Sequence, residues 1–249
     1  MVFEPLESST VTEGLSNAAR PFLNICTNWL QLHLSRGCLL CDAPTTGGWA
    51  CDACACQLPY LPTARCAVCA LPLASAAVCG ACLTHPPAFD HLSGVFAYEF
   101  PINALILAFK YGGRLALAPA LGEVLAAAGA PVADVLVPVP LATRRLRERG
   151  FNQALELARF VSRRNRIPIL ANACRRVADT APQAALPWRE RAKNVRHAFV
   201  CDAALSGMRV AVVDDVVTTG ATLNELARTL RKAGAASVVG WVLARTLPR

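Results

Sequence analysis

No stretch of this 249-residue chain approaches the ~20 uninterrupted apolar residues that a membrane-spanning helix needs. The most apolar region, residues 115–140, is interrupted by Pro119, Glu123, Gly129, Pro131 and Asp134. Basic residues are missing from the first nineteen positions, which carry Glu4, Glu7 and Glu13 instead, so the opening is not a secretory signal. These absences exclude membrane insertion and secretion and lead us to expect a cytoplasmic protein. No G-x-x-x-x-G-K-[ST] occurs, which excludes a P-loop. Acid is in short supply: 17 Asp and Glu stand against 25 Lys and Arg, a formal charge of +8.

The excess of base is uneven. Residues 1–90 hold three basic and six acidic side chains, whereas residues 141–196 hold fourteen and four. Such a segment points to a polyanionic ligand or nucleic acid. Part of it has a plainer reading, because Arg163, Arg164 and Arg166 close a helical pattern where cations are favoured. Aromatics are scarce there. Only Phe151, Phe160 and Trp188 occur, and Phe160 falls on a stripe expected in the core, so a stacking platform for a single strand is thin.

Cysteine, by contrast, is plentiful. Cys38-x2-Cys41-x9-Cys51-x2-Cys54 recurs, displaced by 28 residues, as Cys66-x2-Cys69-x9-Cys79-x2-Cys82. In a cytoplasmic chain such pairs predict metal rather than disulfides. Four thiolates close a tetrahedral zinc site with no open position, so two structural Zn²⁺ are expected. The repeat of the whole unit favours two self-contained ribbons, with interleaved knuckles as the less economical alternative; an iron–sulfur cluster uses the same ligands. Cys56 is a possible substitute ligand, and Cys26, Cys174 and Cys201 stand alone as expected small hydrophobes. Eight thiolates and two Zn²⁺ add −4, taking the formal charge from +8 to about +4. The ribbons are then anionic, and any contact with nucleic acid falls to the basic region beyond them.

The run Val210-Ala211-Val212-Val213-Asp214-Asp215-Val216-Val217-Thr218-Thr219-Gly220-Ala221-Thr222 reads as a buried strand ending in two carboxylates, then a loop. A helix follows, with Leu223, Leu226, Ala227 and Leu230 on one face and Gly234 at its end. Unpaired N–H groups and the positive dipole end there suit a phosphate. Carboxylates beside a phosphate make sense when they accept hydrogen bonds from its neutral hydroxyls, as in a ribose 5-phosphate. An ordinary acidic cap needs one acid and no Thr-Thr-Gly-Ala-Thr run. The motif resembles the signature of type I phosphoribosyltransferases. That resemblance implies that Asp214 and Asp215 hold the ribose hydroxyls, and that Thr218, Thr219, Gly220, Ala221 and Thr222 cradle the 5′-phosphate of phosphoribosyl pyrophosphate.

Around this motif the chain divides into an expected flexible tail (residues 1–21), an amphipathic helix over 22–34 with the double ribbon (22–86), and a second domain (87–249). Residues 58–62, Pro-rich, are expected to offer little regular structure, and Pro86-Pro87 marks the linker. A strand over 91–100 follows, then helices near 101–110 and 115–128, a short strand over 134–137, and a last strand over 237–243. This alternation predicts a parallel sheet covered by helices, with ligands at the carboxyl ends of its strands. The resemblance to type I phosphoribosyltransferases implies that Val137 to Pro140, at such a strand end, is the pyrophosphate loop, with Val139 a binding residue. By the same resemblance the segment with Arg144, Arg145, Arg147 and Arg149 is a candidate lid, and Arg144, Arg145 and Arg149 are the candidate catalytic cations, able to stabilise a leaving pyrophosphate.

The cysteine ribbons, Phe109-Lys110-Tyr111-Gly112-Gly113, Pro138-Val139-Pro140-Leu141, Arg149-Gly150-Phe151-Asn152-Gln153, Pro182-Gln183 and the Asp214–Thr222 motif together resemble the ComF family, GntX-like proteins included, over residues 36–246. The resemblance implies a cytoplasmic double zinc ribbon joined to a type I phosphoribosyltransferase-like domain, binding phosphoribosyl pyrophosphate with Mg²⁺. It further implies a link to DNA uptake in natural competence or to gluconate utilisation, with competence proteins and single-stranded DNA as partners. The alternative is a non-catalytic DNA-handling or ligand-sensing protein that uses the site for binding only.

Overall fold

A computed structural model describes residues 37–45, 48–74, 77–177 and 195–248. The expected tail, the helix over 22–34 and Pro182-Gln183 lie outside them. Two cysteine units come first. Bridges between Gly37 and Pro44 and between Arg65 and Pro72 close their first knuckles. One-turn helices follow the second knuckles: α1 (Asp52–Ala55) after Cys51 and α2 (Gly80–Thr84) after Cys79.

The main sheet runs β1 (His91–Ala97), β6 (Ser237–Arg245), β5 (Arg209–Val217), β2 (Val135–Pro138), and each neighbouring pair is parallel. Parallel neighbours need crossovers, and helices supply them. These are α3 (Ile102–Tyr111), a 3-10 turn (Leu115–Leu117) running into α4 (Ala118–Ala127), α5 (Thr143–Arg149), α6 (Gln153–Asn165) and α7 (Ala221–Lys232). A separate antiparallel pair joins β3 (Cys174–Arg176) to β4 (Phe199–Cys201). No helix among the described residues is long and apolar enough to cross a membrane.

Side chains alternate along β5 and feed two cores. Val210 and Val212 join Leu223, Leu226 and Leu230 of α7, while Ala211 and Val213 join Leu157 and Val161 of α6 and Leu121 and Leu125 of α4. Burial on both faces is why the strand reads as an unbroken apolar run. Where α4 meets α6, a Cβ on Gly122 would lie 2.5 Å from Phe160 Cβ. Only glycine allows that approach, and it seats Phe160 against the core, as its place in the stripe predicts.

Three places correct or extend the sequence reading. Strand β5 does not stop at the acids but continues to Val217, because β6 pairs with it as far as Arg245. Residues 58–62 hold little regular structure, as expected, yet Leu61 N donates to Val95 O (3.0 Å) and Ala97 N to Pro59 O (2.7 Å), so they cover the open edge of β1. Cys174 and Cys201 pack with the core as the small hydrophobes expected, but they face each other across β3 and β4 rather than standing alone. Burial, and then the neighbouring Cys201, push the Cys174 thiol up.

Candidate functional site

The metal centres build from local chain. The sulfurs of Cys38, Cys41, Cys51 and Cys54 lie within 4.8 Å of one another, as do those of Cys66, Cys69, Cys79 and Cys82. Pairing is therefore sequential, one cluster per repeat, and exposed Cys56 belongs to neither. Sulfur separations of 3.7 Å (Cys41–Cys51) and 3.6 Å (Cys69–Cys79) approach the ~3.8 Å edge of a tetrahedron with Zn–S near 2.3 Å. Backbone donors sharpen the fit: Leu40 N reaches Cys38 Sγ at 3.4 Å and Cys79 N reaches Cys66 Sγ at 3.3 Å. Burial opposes ionisation of Cys38 and Cys66, but the surrounding backbone N–H groups outweigh it and hold both thiols low, at about 6. Thiolate is the ligating form, so the two clusters fit two zinc ions.

The second site gathers at the carboxyl ends of β2 and β5. Strand alternation turns Asp214 and Asp215 to opposite faces. Asp215 meets α3, where Lys110 Nζ stands 2.9 Å from its Oδ2, the two side chains being 19% and 6% exposed. The ammonium is the partner of this buried carboxylate oxygen. Burial opposes the charge on Lys110, yet Asp215 and Asp214 more than offset it and raise its pKa. Half-buried Asp214 accepts from Asp215 N at 2.9 Å. Burial first, and then the Asp215 charge, lift its carboxyl to about 8.

Beyond Val217 the chain turns through Gly220 (φ +81°), a left-handed conformation that strains any side-chain-bearing residue, into α7. Ala221 N donates to Thr219 Oγ1 at 3.2 Å. Thr218 and Thr222 line a cavity of about 440 Å³ shared with Asp214, Asp215 and Val139. Val139 is placed there by its N–H, which continues the ladder to Val213 O at 3.0 Å. The side chain of Asn152 donates to Val139 O (3.1 Å) and caps α6 by accepting from Ala154 N (3.0 Å). That leaves neighbouring Gln153, also lining the cavity, with a buried Nε2 lacking a partner among the described residues.

The arginine-rich segment is the helix α5, ended by Gly150. Its periodicity sorts the candidates. Arg145 and Arg149 line the cavity. Arg144, 77% exposed, turns outward onto Glu148 at 2.8 Å and is not among the lining residues. Arg149 also lies 4.7 Å over the ring of Tyr111 and donates to its hydroxyl at 2.9 Å. Thr219, Gly220 and Ala221 shape the turn without lining the cavity. A larger open hollow of about 680 Å³, between β4 and α7, includes none of the candidate residues.

Sequence reasoning gave no role to Lys110, Tyr98, Tyr111 or Arg245. Lys110 and Tyr111 belong to the Phe109–Gly113 motif, but nothing local ties them to Asp215 and Arg149. Arg245, 5% exposed at the end of β6, carried no signal at all, yet it donates to the carbonyls of Val217, Thr218 and Cys69. Burial pushes its pKa down.

The double zinc ribbon domain family matches residues 29–83. The DNA utilization protein YhgH of Escherichia coli K12 is 37% identical over 220 residues, covering 84% of this chain and 97% of that protein. Competence protein F of Haemophilus influenzae is 36% identical over 177 residues, 67% of this chain and 77% of that protein. Among solved structures, the glutamine phosphoribosylpyrophosphate amidotransferase of Bacillus subtilis is 26% identical with a TM-score of 0.35, over 49% of this chain and 25% of that one. So partial a likeness leaves the phosphoribosyl reading to rest on the residues of the site. Relatives matched over most of both lengths, with the ribbon pair matched in its own right, place this chain in the ComF family of competence and DNA-utilization proteins.

Proposed function

We propose that this protein binds phosphoribosyl pyrophosphate with Mg²⁺ in the cavity at the end of β5, in the service of DNA uptake. One observation carries the reading: paired carboxylates, Thr218 and Thr222 at the two ends of the turn, Val139 and two arginines converge on one cavity. Asp214 and Asp215 accept the ribose hydroxyls, and the turn and the α7 N-terminus take the 5′-phosphate. The donors suit a hard cation, since the cavity is lined by the carboxylates of Asp214 and Asp215. Bound Mg²⁺ supplies charge neutralisation for the pyrophosphate. Arg145 and Arg149 stabilise the charge that develops when the anomeric C–O bond breaks, its electron pair leaves with pyrophosphate, and an incoming nucleophile bonds to the same carbon. The names of the relatives, DNA utilization and competence proteins, support the biological setting.

Calorimetry of the full chain tests this. Binding of phosphoribosyl pyrophosphate is expected, strengthened by Mg²⁺. Asp214→Asn with Asp215→Asn is expected to weaken it at least ~100-fold, as two charge-assisted hydrogen bonds are lost. Unchanged affinity in the double variant refutes the ribose assignment. A ribosylated product after incubation with a metabolite extract decides whether turnover follows.

A second reading, a non-catalytic pocket for a single strand, gains support from tertiary structure. Tyr98 and Tyr111 line the cavity, and Arg149 stacks on Tyr111. Aromatics outside the basic segment thus stand beside its cations, the combination that single-strand binding uses.

A further inference from the structure

We infer that Arg245 ties the second cysteine cluster to the candidate phosphate turn, so that metal occupancy at Cys66–Cys82 sets the order of residues 217–222. The geometry is specific. Arg245 ends β6 in register with Ala97 of β1 and Val217 of β5, where strand gives way to turn. Its Nε donates to Cys69 O at 3.1 Å, inside the second cluster. Its Nη1 donates to Val217 O at 3.2 Å, to Thr218 O, and to Thr246 O at 3.1 Å. One guanidinium therefore pins two successive carbonyls of the turn and a carbonyl of the metal knuckle.

The arrangement has an electrostatic logic. Arg245 is 5% exposed, and none of the ion pairs of the described residues includes it. A buried guanidinium needs compensation. A filled four-thiolate zinc site, with a formal charge of −2, supplies it on the Cys69 side. The same metal holds the knuckle in shape, since units this small draw their folding energy from zinc. The ribbon is also laced to the sheet where Leu92 N donates to Val68 O at 2.9 Å. The knuckle carbonyl that Arg245 grips belongs to the second cluster, so of the two metals it is the one at Cys66–Cys82 that the tie couples to the turn.

Hydrogen exchange on the zinc-loaded full chain reads the tie directly. Amides of 217–222 should exchange about tenfold faster in Arg245→Gln and in Cys82→Ser, with no change in Cys54→Ser. Arg245→Lys retains charge but cannot span the knuckle and the turn together, so it should not rescue. A reciprocal readout separates coupling from simple support: saturating phosphoribosyl pyrophosphate should slow loss of one of the two zinc ions to a chelator and leave the other unchanged. This last arm rests on the proposed ligand. Failure of wild type to bind it would sink that reading while the exchange arm still decides the tie. Unchanged exchange in Arg245→Gln, or an equal acceleration in Cys54→Ser, overturns the inference. Should Cys82→Ser fail to fold, the Arg245 variants carry the test alone.

Discussion

Asp214 and Asp215 are neighbours in sequence, and the strand gives them different chemistry. Asp215 meets Lys110 at 2.9 Å, whereas Asp214 is lifted to about 8, by burial and by the charge beside it. The sign of the consequence follows. A carboxyl raised above its usual 3.8 favours the fold when protonated, so this contribution is whole below about pH 4 and is lost as pH rises through about 8. A neutral Asp214 accepts poorly from a ribose hydroxyl, while the ionised form accepts well. Ligand binding at pH 7 should therefore release a proton. Affinity should climb between pH 6 and 8, by no more than roughly tenfold per pH unit, and level off above. Calorimetry in buffers of different ionisation enthalpy measures the proton directly. Asp214→Asn should abolish both the release and the slope; a slope that survives this substitution assigns the proton elsewhere.

Elements explain what the sequence revealed and what it hid. The cysteine ribbons and the strand–turn–helix of β5 and α7 were legible because all their chemistry lies within a few tens of residues. Each cluster draws its four sulfurs from one repeat. Two zinc ions per chain are therefore expected, and Cys38→Ser should reduce the count to one. Far-UV circular dichroism should keep the signal of the sheet and its helices, because the first cluster makes none of the ladder bonds of β1, β6, β5 and β2. The melting temperature should fall, since Leu39, Leu40 and Trp49 of that unit pack against the core. Elemental analysis finding one zinc or none in folded wild type would contradict this account. What stayed hidden is tertiary. Tyr111 and Arg149 are 38 positions apart, and Arg245 and Cys69 are 176 apart. No period or motif spans such distances. The arginines of α5 were visible as a group, but only the helix shows that Arg145 and Arg149 share a face that Arg144 does not.

At the scale of the whole molecule, charge separates the two readings of the site. Residues 141–196 carry ten more basic than acidic side chains, an excess beyond what a single pyrophosphate requires. Among the described residues, two surfaces can collect a polyanion. One is the cavity with Arg145 and Arg149; the other is the hollow at Arg196, Arg228 and Lys232. In the second, Arg228 already pairs with the buried Glu225 at 3.1 Å, which lowers its net pull on phosphate. The cavity keeps aromatic surface beside its cations and is the better seat for a strand. Labelled single-stranded oligonucleotide should therefore bind, with affinity falling steeply in salt at a slope of about −0.7 per phosphate neutralised. Saturating phosphoribosyl pyrophosphate should displace part of it. Arg145→Ala with Arg149→Ala should weaken both ligands, whereas Arg196→Ala with Lys232→Ala should weaken the strand alone if it runs on to the hollow. Strand binding untouched by phosphoribosyl pyrophosphate, and lost only with Arg196 and Lys232, would move DNA out of the cavity. Binding that is flat in salt would remove the electrostatic argument altogether.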